Sequence, residues 1–205
     1  MNDSGRFRST EELVTRALAL SYATVGYNLL EGLVSVGFAF AAGSPALLGF
    51  GIDSFVESLS GMIMIWRFSG IPDDEQREQR AARLVGVSLI ILAAYVVYDA
   101  TAALYFGEAP TPNIAGLVIA VASLVVMPTL YMLKRKTARA LHSRSLSADA
   151  QQTLACIMLS VALLIGTGLH YTIGWWQADP VAGLVIAAYL IREGYEAFTE
   201  QELCC

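Results

Sequence analysis

Residues 45–66 read PALLGFGIDSFVESLSGMIMIW, an apolar run that is interrupted by two carboxylic acids, Asp53 and Glu57. A helix that crosses the hydrocarbon core of a bilayer needs about 20 consecutive, mostly apolar residues. This stretch meets that requirement. It therefore predicts a transmembrane helix that carries two acids inside the membrane.

The composition of the whole chain supports the same interpretation. Of its 205 residues, 56% are hydrophobic and 15% are charged, and the mean hydropathy is +0.55. Soluble domains have about 45–50% apolar and about 25% charged residues, so the composition argues against a soluble globular enzyme. The net charge of -5 does not favour nucleic acid as a partner, and three cysteines cannot form a disulfide framework.

Six apolar stretches of membrane length predict an all-α integral membrane protein with six transmembrane helices in a single transmembrane domain, residues 1–205. We therefore expect the protein to lie in the lipid bilayer of the inner or plasma membrane of the cell. No P-loop, dinucleotide fingerprint or nucleophile–base set is visible in the sequence, so no enzymatic activity is predicted. The predicted spans are approximately residues 18–42, 45–66, 84–106, 114–133, 147–173 and 180–198.

The basic residues predict the orientation. All 13 Lys and Arg residues precede span one, lie between spans two and three or four and five, or lie near the C-terminus. Under the positive-inside rule, both termini are therefore cytoplasmic. The basic stretch LKRKTARALHSR, residues 133–144, is interpreted as a connection that sets orientation, and contact with anionic lipid is the alternative.

The two acids of span two are the most informative polar residues. Because Asp53 and Glu57 are four residues apart, they lie one turn apart on one helix face. Two carboxylates this close, away from water, need either a proton or a cation between them. Acids inside membranes mostly mark ion or proton pathways, although two acids can also accept hydrogen bonds between helices.

Further polar residues lie inside or beside the other spans. Gln152 and Cys156 repeat the four-residue spacing on span five, but on their own they are interpreted as structural. Asp179 precedes a proline and is interpreted as a helix cap, while Asp99 either lines an exit or pairs with another span. The remaining polar residues of this group are Asn28, Glu31 and Asp149.

This pattern resembles the cation diffusion facilitator family of divalent-metal transporters over nearly all six helices. The resemblance maps the family's span-two ligand pair to Asp53 and Glu57. On span five, the segment SADAQQTLACIM resembles the family's Ala-Asp dipeptide before a second ligand pair, and this assigns Gln152 and Cys156 to the ligand positions. The start of span six, QADPVAGLVIAAYLI, resembles the family's Asp-Pro followed by a small apolar run.

The resemblance implies a homodimer that exports Zn²⁺ or a similar divalent cation from the cytoplasm in exchange for protons. Zn²⁺ is then the transported ion, and no cofactor is expected. The chain also resembles a short branch of the family without the usual C-terminal cytoplasmic domain. The alternative function is a non-transporting, metal-binding regulatory subunit of the membrane with the same fold.

The sequence departs from the family at three of the four ligand positions. Glu57 replaces the usual Asp, Gln152 replaces a His, and Cys156 replaces an Asp with a thiol that suits Zn²⁺ or Cd²⁺. The fourth donor is left open between Gln152, a water molecule and a group from span one. Possible accessory ligands are Asn28, Glu31, Asp149 and the terminal pair Cys204 and Cys205, for which an exposed tail without a role is the alternative.

Overall fold

The computed structural model describes residues 3–42, 45–70, 74–107 and 114–199, which form six helices and contain no strand. This confirms the predicted all-α fold. In chain order, the helices are α1 (Asp3–Ala42), α2 (Pro45–Phe68), α3 (Glu75–Phe106), α4 (Ile114–Leu141), α5 (Arg144–Ile173) and α6 (Ala178–Thr199).

Five of the helices, α1 to α5, are long and apolar enough to cross a membrane. The shorter α6 has 22 residues, and charged side chains lie at both of its ends. It packs along α3 and α5 inside the same bundle. The chain is therefore a multi-pass integral membrane protein.

Several helices extend beyond the predicted spans. α1 begins at Asp3, and α3 begins at Glu75, ahead of the apolar stretches that predicted them. Glu, Arg and Lys are good helix formers, so a helix continues after its sequence has stopped being apolar. The interpretation of residues 133–144 as a connection was wrong for this reason. α4 continues to Leu141, and only two residues separate it from α5.

The start and end of α5 are fixed by local signals. The Ser143 side chain accepts a hydrogen bond from the Leu146 backbone N–H at 3.2 Å, as an N-cap does. Gly174 ends the helix in the left-handed conformation, with φ of 73°, which glycine adopts without steric cost. These two caps set which residues of α5 point into the bundle.

The helices pack most closely in three pairs, α1 with α2, α3 with α6, and α4 with α5. The largest apolar core lies where α3, α5 and α6 meet, and Leu89, Leu92 and Leu190 are fully buried there. Polar side chains are gathered in the neighbouring space between α1, α2, α4 and α5. We call this space the polar half of the bundle, and smaller apolar clusters around Met64 and Met127 pack against it.

A glycine allows α5 and α6 to approach closely. A Cβ atom placed on Gly166 would lie 2.6 Å from the Cβ of Asp179 and 3.0 Å from its Cα, so part of the clash would be with the backbone. Gly168 lies two residues further along α5, and a Cβ atom placed on it would have open space around it. Gly166 therefore determines how close the first turn of α6 lies to α5.

We expect Gly166→Ala to destabilise the bundle by about 1–3 kcal/mol, because overpacking forces a backbone shift. Thermal unfolding of the purified protein in detergent measures the change. The matched control is Gly168→Ala, which should leave the midpoint unchanged or raise it slightly, because alanine favours helix. Equal midpoints for the two variants would contradict the close contact between α5 and α6.

Candidate metal-binding site

A continuous set of buried polar side chains occupies the polar half of the bundle. In a membrane protein, such groups have neither water nor lipid headgroups to bind, so they must satisfy one another or bind a ligand. The seven acids, amides and thiol that the sequence analysis singled out in spans one, two and five are buried. They are Asn28, Glu31, Asp53, Glu57, Asp149, Gln152 and Cys156.

The structure brings Cys156 to the acid pair of α2. Its thiol is 1% exposed and lies close enough to the Asp53 carboxylate to interact with it. The Oδ1 atom of Asp53 and the Oε2 atom of Glu57 are buried and have no hydrogen-bond partner among the described residues. One oxygen of each acid is thus buried with unused binding capacity, and the Cys156 thiol lies beside Asp53.

Gln152 points towards α3. Its Oε1 atom accepts a hydrogen bond from the Ser88 hydroxyl at 3.0 Å, and its Nε2 atom has no partner within the described ranges. The amide oxygen is the atom that would bind a metal, and here it is held by a serine. Across the described residues, no three His, Cys, Asp or Glu side chains are gathered closely enough to form a ready metal centre.

Glu57 is linked to a fully buried lysine that the sequence placed in a connection. The Thr153 hydroxyl donates to Glu57 Oε1 at 2.6 Å and accepts from Lys134 Nζ at 2.9 Å. The Lys134 ammonium also lies 2.8 Å from Asp149 Oδ2. The other oxygen of Asp149 accepts from the Ser60 hydroxyl at 2.7 Å.

Sequence reasoning missed Lys134 because Arg135 and Lys136 follow it and the three form a basic run. The helical periodicity of α4 did indicate that Lys134 lies on a buried face. The buried residues Ser123, Met127 and Leu130 lie on one face of α4, and continuing that face by one turn reaches Lys134. The direction of the side chain, and not its neighbours in sequence, determines its role.

Glu31 has a full set of partners on three helices. Its Oε2 atom accepts from the Ser54 hydroxyl at 3.0 Å, and its Oε1 atom accepts from the hydroxyls of Tyr27 and Ser123. Asn28, one turn earlier on α1, is fully buried, yet neither of its amide atoms has a partner in the described part of the chain. Asn28 therefore has more free binding capacity than Glu31.

A cavity of about 110 Å³ leads from Asp53 towards the end of the bundle where α6 begins. Its wall includes Tyr95, Asp99 and Asp179. Asp179 lies in the first turn of α6, and it lines this cavity together with Asp99. The carboxylates of Asp53, Asp99 and Asp179 therefore line this one cavity, and we name this end of the bundle the outer end.

At the opposite, inner end, polar contacts of Glu78 join α2, α3 and the start of α5, and Glu78 also lines two further cavities there. Glu78 Oε2 lies 2.6 Å from Arg67 Nε. Glu78 Oε1 accepts from the Ser145 backbone N–H at 2.8 Å and from the Ser143 hydroxyl at 2.9 Å. The outer cavity thus reaches Asp53, and the contacts of Glu78 join three helices at the inner end.

Cys204 and Cys205 lie outside the described residues. Among the predicted residues that are described, the structure places Cys156 beside Asp53 and buries Glu57 one turn further along α2. It directs Gln152 towards Ser88. Asp149 is paired with Lys134.

A helical membrane bundle with buried acids, a thiol and a polar passage has the features of a cation transporter. Comparison with known proteins agrees. Residues 21–201 match the cation efflux transmembrane domain, and the chain therefore belongs to the cation efflux family of membrane transporters and not to a family of enzymes.

Several curated relatives are similar over most of the chain. The cation-efflux pump FieF of Shewanella oneidensis is 23% identical over 96% of this chain and 67% of its own length. The cadmium, cobalt and zinc/H(+)-K(+) antiporter of Bacillus subtilis is 22% identical over 88% of this chain and 60% of its own. Transmembrane protein 163 of Xenopus laevis is 21% identical over 87% of this chain and 65% of its own length. The chain spans about two thirds of the length of these relatives.

We expect Asp149→Asn to destabilise the protein by about 3–5 kcal/mol, because it leaves the buried Lys134 ammonium without its carboxylate. Thermal unfolding in detergent measures this loss. Replacing both partners, in Asp149→Asn with Lys134→Met, should recover most of the stability, because no uncompensated charge then remains. Additive losses in the double variant would show that the two groups are not paired.

Proposed function

We propose that the chain is a secondary transporter of the inner or plasma membrane that exports Zn²⁺, or a similar divalent cation, in exchange for protons. The observation that carries this proposal is the free binding capacity at the centre of the bundle. Asp53 and Glu57 are buried one turn apart, each with one oxygen that has no partner among the described residues. The Cys156 thiol faces Asp53.

The donor types fit Zn²⁺. This ion takes four ligands in a tetrahedral arrangement from thiolate sulfur, carboxylate oxygen and imidazole nitrogen. Asp53, Glu57 and Cys156 would supply three of them after small side-chain movements. For the fourth, Asn28 has its amide oxygen free within the described ranges, whereas the Gln152 oxygen is held by Ser88.

Exchange for protons follows from the same groups. A thiol gives up its proton when it binds a metal ion, and a carboxyl that holds a proton does so as well. When the metal leaves, neighbouring carboxylates take protons again, because two buried negative charges one turn apart repel each other. Metal and protons would thus occupy the site in turn. The similarity to the cadmium, cobalt and zinc/H(+)-K(+) antiporter of Bacillus subtilis supports this mechanism.

The cavity gives the direction of access in this conformation. It joins Asp53 to the outer end, where Asp99 and Asp179 would attract a departing cation. The contacts around Glu78 join α2, α3 and α5 at the inner end, so uptake from the cytoplasm would require them to rearrange. The homodimer implied by the family resemblance remains a prediction, and cross-linking in native membranes would test it.

A second candidate is a metal-binding regulatory subunit that does not transport. Two observations favour it, namely that Gln152 is bonded to Ser88 and that Lys134 places a positive charge near Glu57. Reconstitution in proteoliposomes with an internal pH indicator distinguishes the two functions. Metal flux with opposite proton flux supports the transporter, and metal binding without flux supports the regulatory subunit.

We expect Asp53→Asn to abolish metal binding and transport while the protein still inserts and folds. The amide keeps the size of the side chain and removes the charge that attracts the cation. Isothermal titration with Zn²⁺ and flux into proteoliposomes measure the two losses. Glu12→Gln, at an exposed position of α1, is the matched control and should behave as the wild type. Wild-type affinity in Asp53→Asn would rule out this site.

Cys156 is expected to determine metal preference, because its sulfur is the soft donor of the proposed set. Cys156→Asp should retain Zn²⁺, which also accepts oxygen ligands, and should weaken Cd²⁺ relative to Zn²⁺ by about tenfold. The affinity for harder ions such as Mn²⁺ should rise. Competition binding with the three metals, in the wild type and in the variant, gives the order of their affinities. An unchanged order in a folded variant would place Cys156 outside the metal ligands.

A further inference from the structure

Lys134 lies with its ammonium group between two carboxylates of the buried polar cluster. The side chain is fully buried on α4, and its Nζ atom is 2.8 Å from Asp149 Oδ2 and 2.9 Å from Thr153 Oγ1. The same Thr153 hydroxyl donates to Glu57. A positive charge is therefore held one hydroxyl group away from a proposed metal ligand.

This arrangement is not needed for packing alone. A buried ion pair can often be replaced by apolar side chains of similar volume without loss of stability. A charged residue inside a membrane bundle is more often part of an ion or proton pathway. Lys134 also orients Thr153, because the ammonium occupies a lone pair of the hydroxyl and the proton of that hydroxyl then points to Glu57.

We propose that Lys134 is a tethered cation that competes with the transported metal ion for the carboxylates of Glu57 and Asp149. This inference rests on the proposed function. A divalent ion that approaches Glu57 meets the field of the ammonium, which lowers its affinity. The ammonium also fills the position beside Asp149, so that a second ion cannot bind there. Lys134 thereby keeps the site to one ion and helps that ion to leave.

The test is Cd²⁺ binding to the purified full-length chain in detergent, followed by flux in proteoliposomes. Lys134→Met removes the charge and keeps a side chain of similar length. We expect its Cd²⁺ affinity to rise by about tenfold or more, because a nearby unit charge of the same sign is gone. The maximal flux should fall, because the ion leaves more slowly.

Two control variants separate charge from structure. Lys134→Arg keeps the charge and should bind Cd²⁺ with nearly wild-type affinity. Lys136→Met removes an exposed lysine two residues further along α4 and should change neither quantity. A purely structural lysine would instead give a Lys134→Met variant with lower thermal stability and no gain in affinity.

If Lys134→Met does not fold, the double variant Lys134→Met with Asp149→Asn takes its place. It removes both charges, and its affinity should again exceed that of the wild type, by a smaller factor because Asp149 is lost too. Unchanged or weaker Cd²⁺ binding in the folded variant would overturn the role of Lys134. A wild-type chain that neither binds nor moves any divalent metal would overturn the proposed function itself.

Discussion

The ion pair between Lys134 and Asp149 is the interaction on which the polar half of the bundle depends. Both side chains are fully buried, and an unpaired charge at this depth would cost several kcal/mol. The pair holds α4 against α5, and Ser60 connects α2 to it through Asp149. This charge contact and the Ser60 hydrogen bond therefore link three helices around the proposed metal ligands.

Hydroxyl groups connect the remaining acids to the bundle. Ser54 and Ser123 bind Glu31, Ser88 binds Gln152, and Thr153 binds Glu57. Serine and threonine are small, so they let helices lie close while they satisfy a neighbouring acid or amide. Asp53 and Glu57 differ from Glu31 in keeping an oxygen free within the described chain. That difference separates the acids that hold helices together from those that can bind a cation.

Much of the fold could be predicted because membrane spans depend on local composition. The spacing of Asp53 and Glu57, together with the resemblance that pointed to Cys156, also led to residues that are buried, and Cys156 lies beside Asp53. Their role as metal ligands stays a prediction. The partners of Lys134 and Gln152 could not be predicted in this way. Their roles depend on which side chains of other helices they face, and the distance along the chain from Gln152 to Ser88 carries no such information. Helix ends were misjudged where charged residues continue a helix beyond its apolar stretch, as in α4.

The short connection between α4 and α5 has a consequence for biogenesis. Lys134 and Asp149 lie on consecutive helices that are separated by His142 and Ser143 alone. The two charges can therefore meet within one helical hairpin before either of them faces lipid. Each helix alone would place an unpaired charge near the inner membrane boundary, at a cost in free energy, because Lys134 directly follows the predicted span 114–133 and Asp149 lies near the start of the predicted span 147–173. Insertion of α4 and α5 together as one hairpin avoids that cost. The two helices would then enter the membrane in a single step.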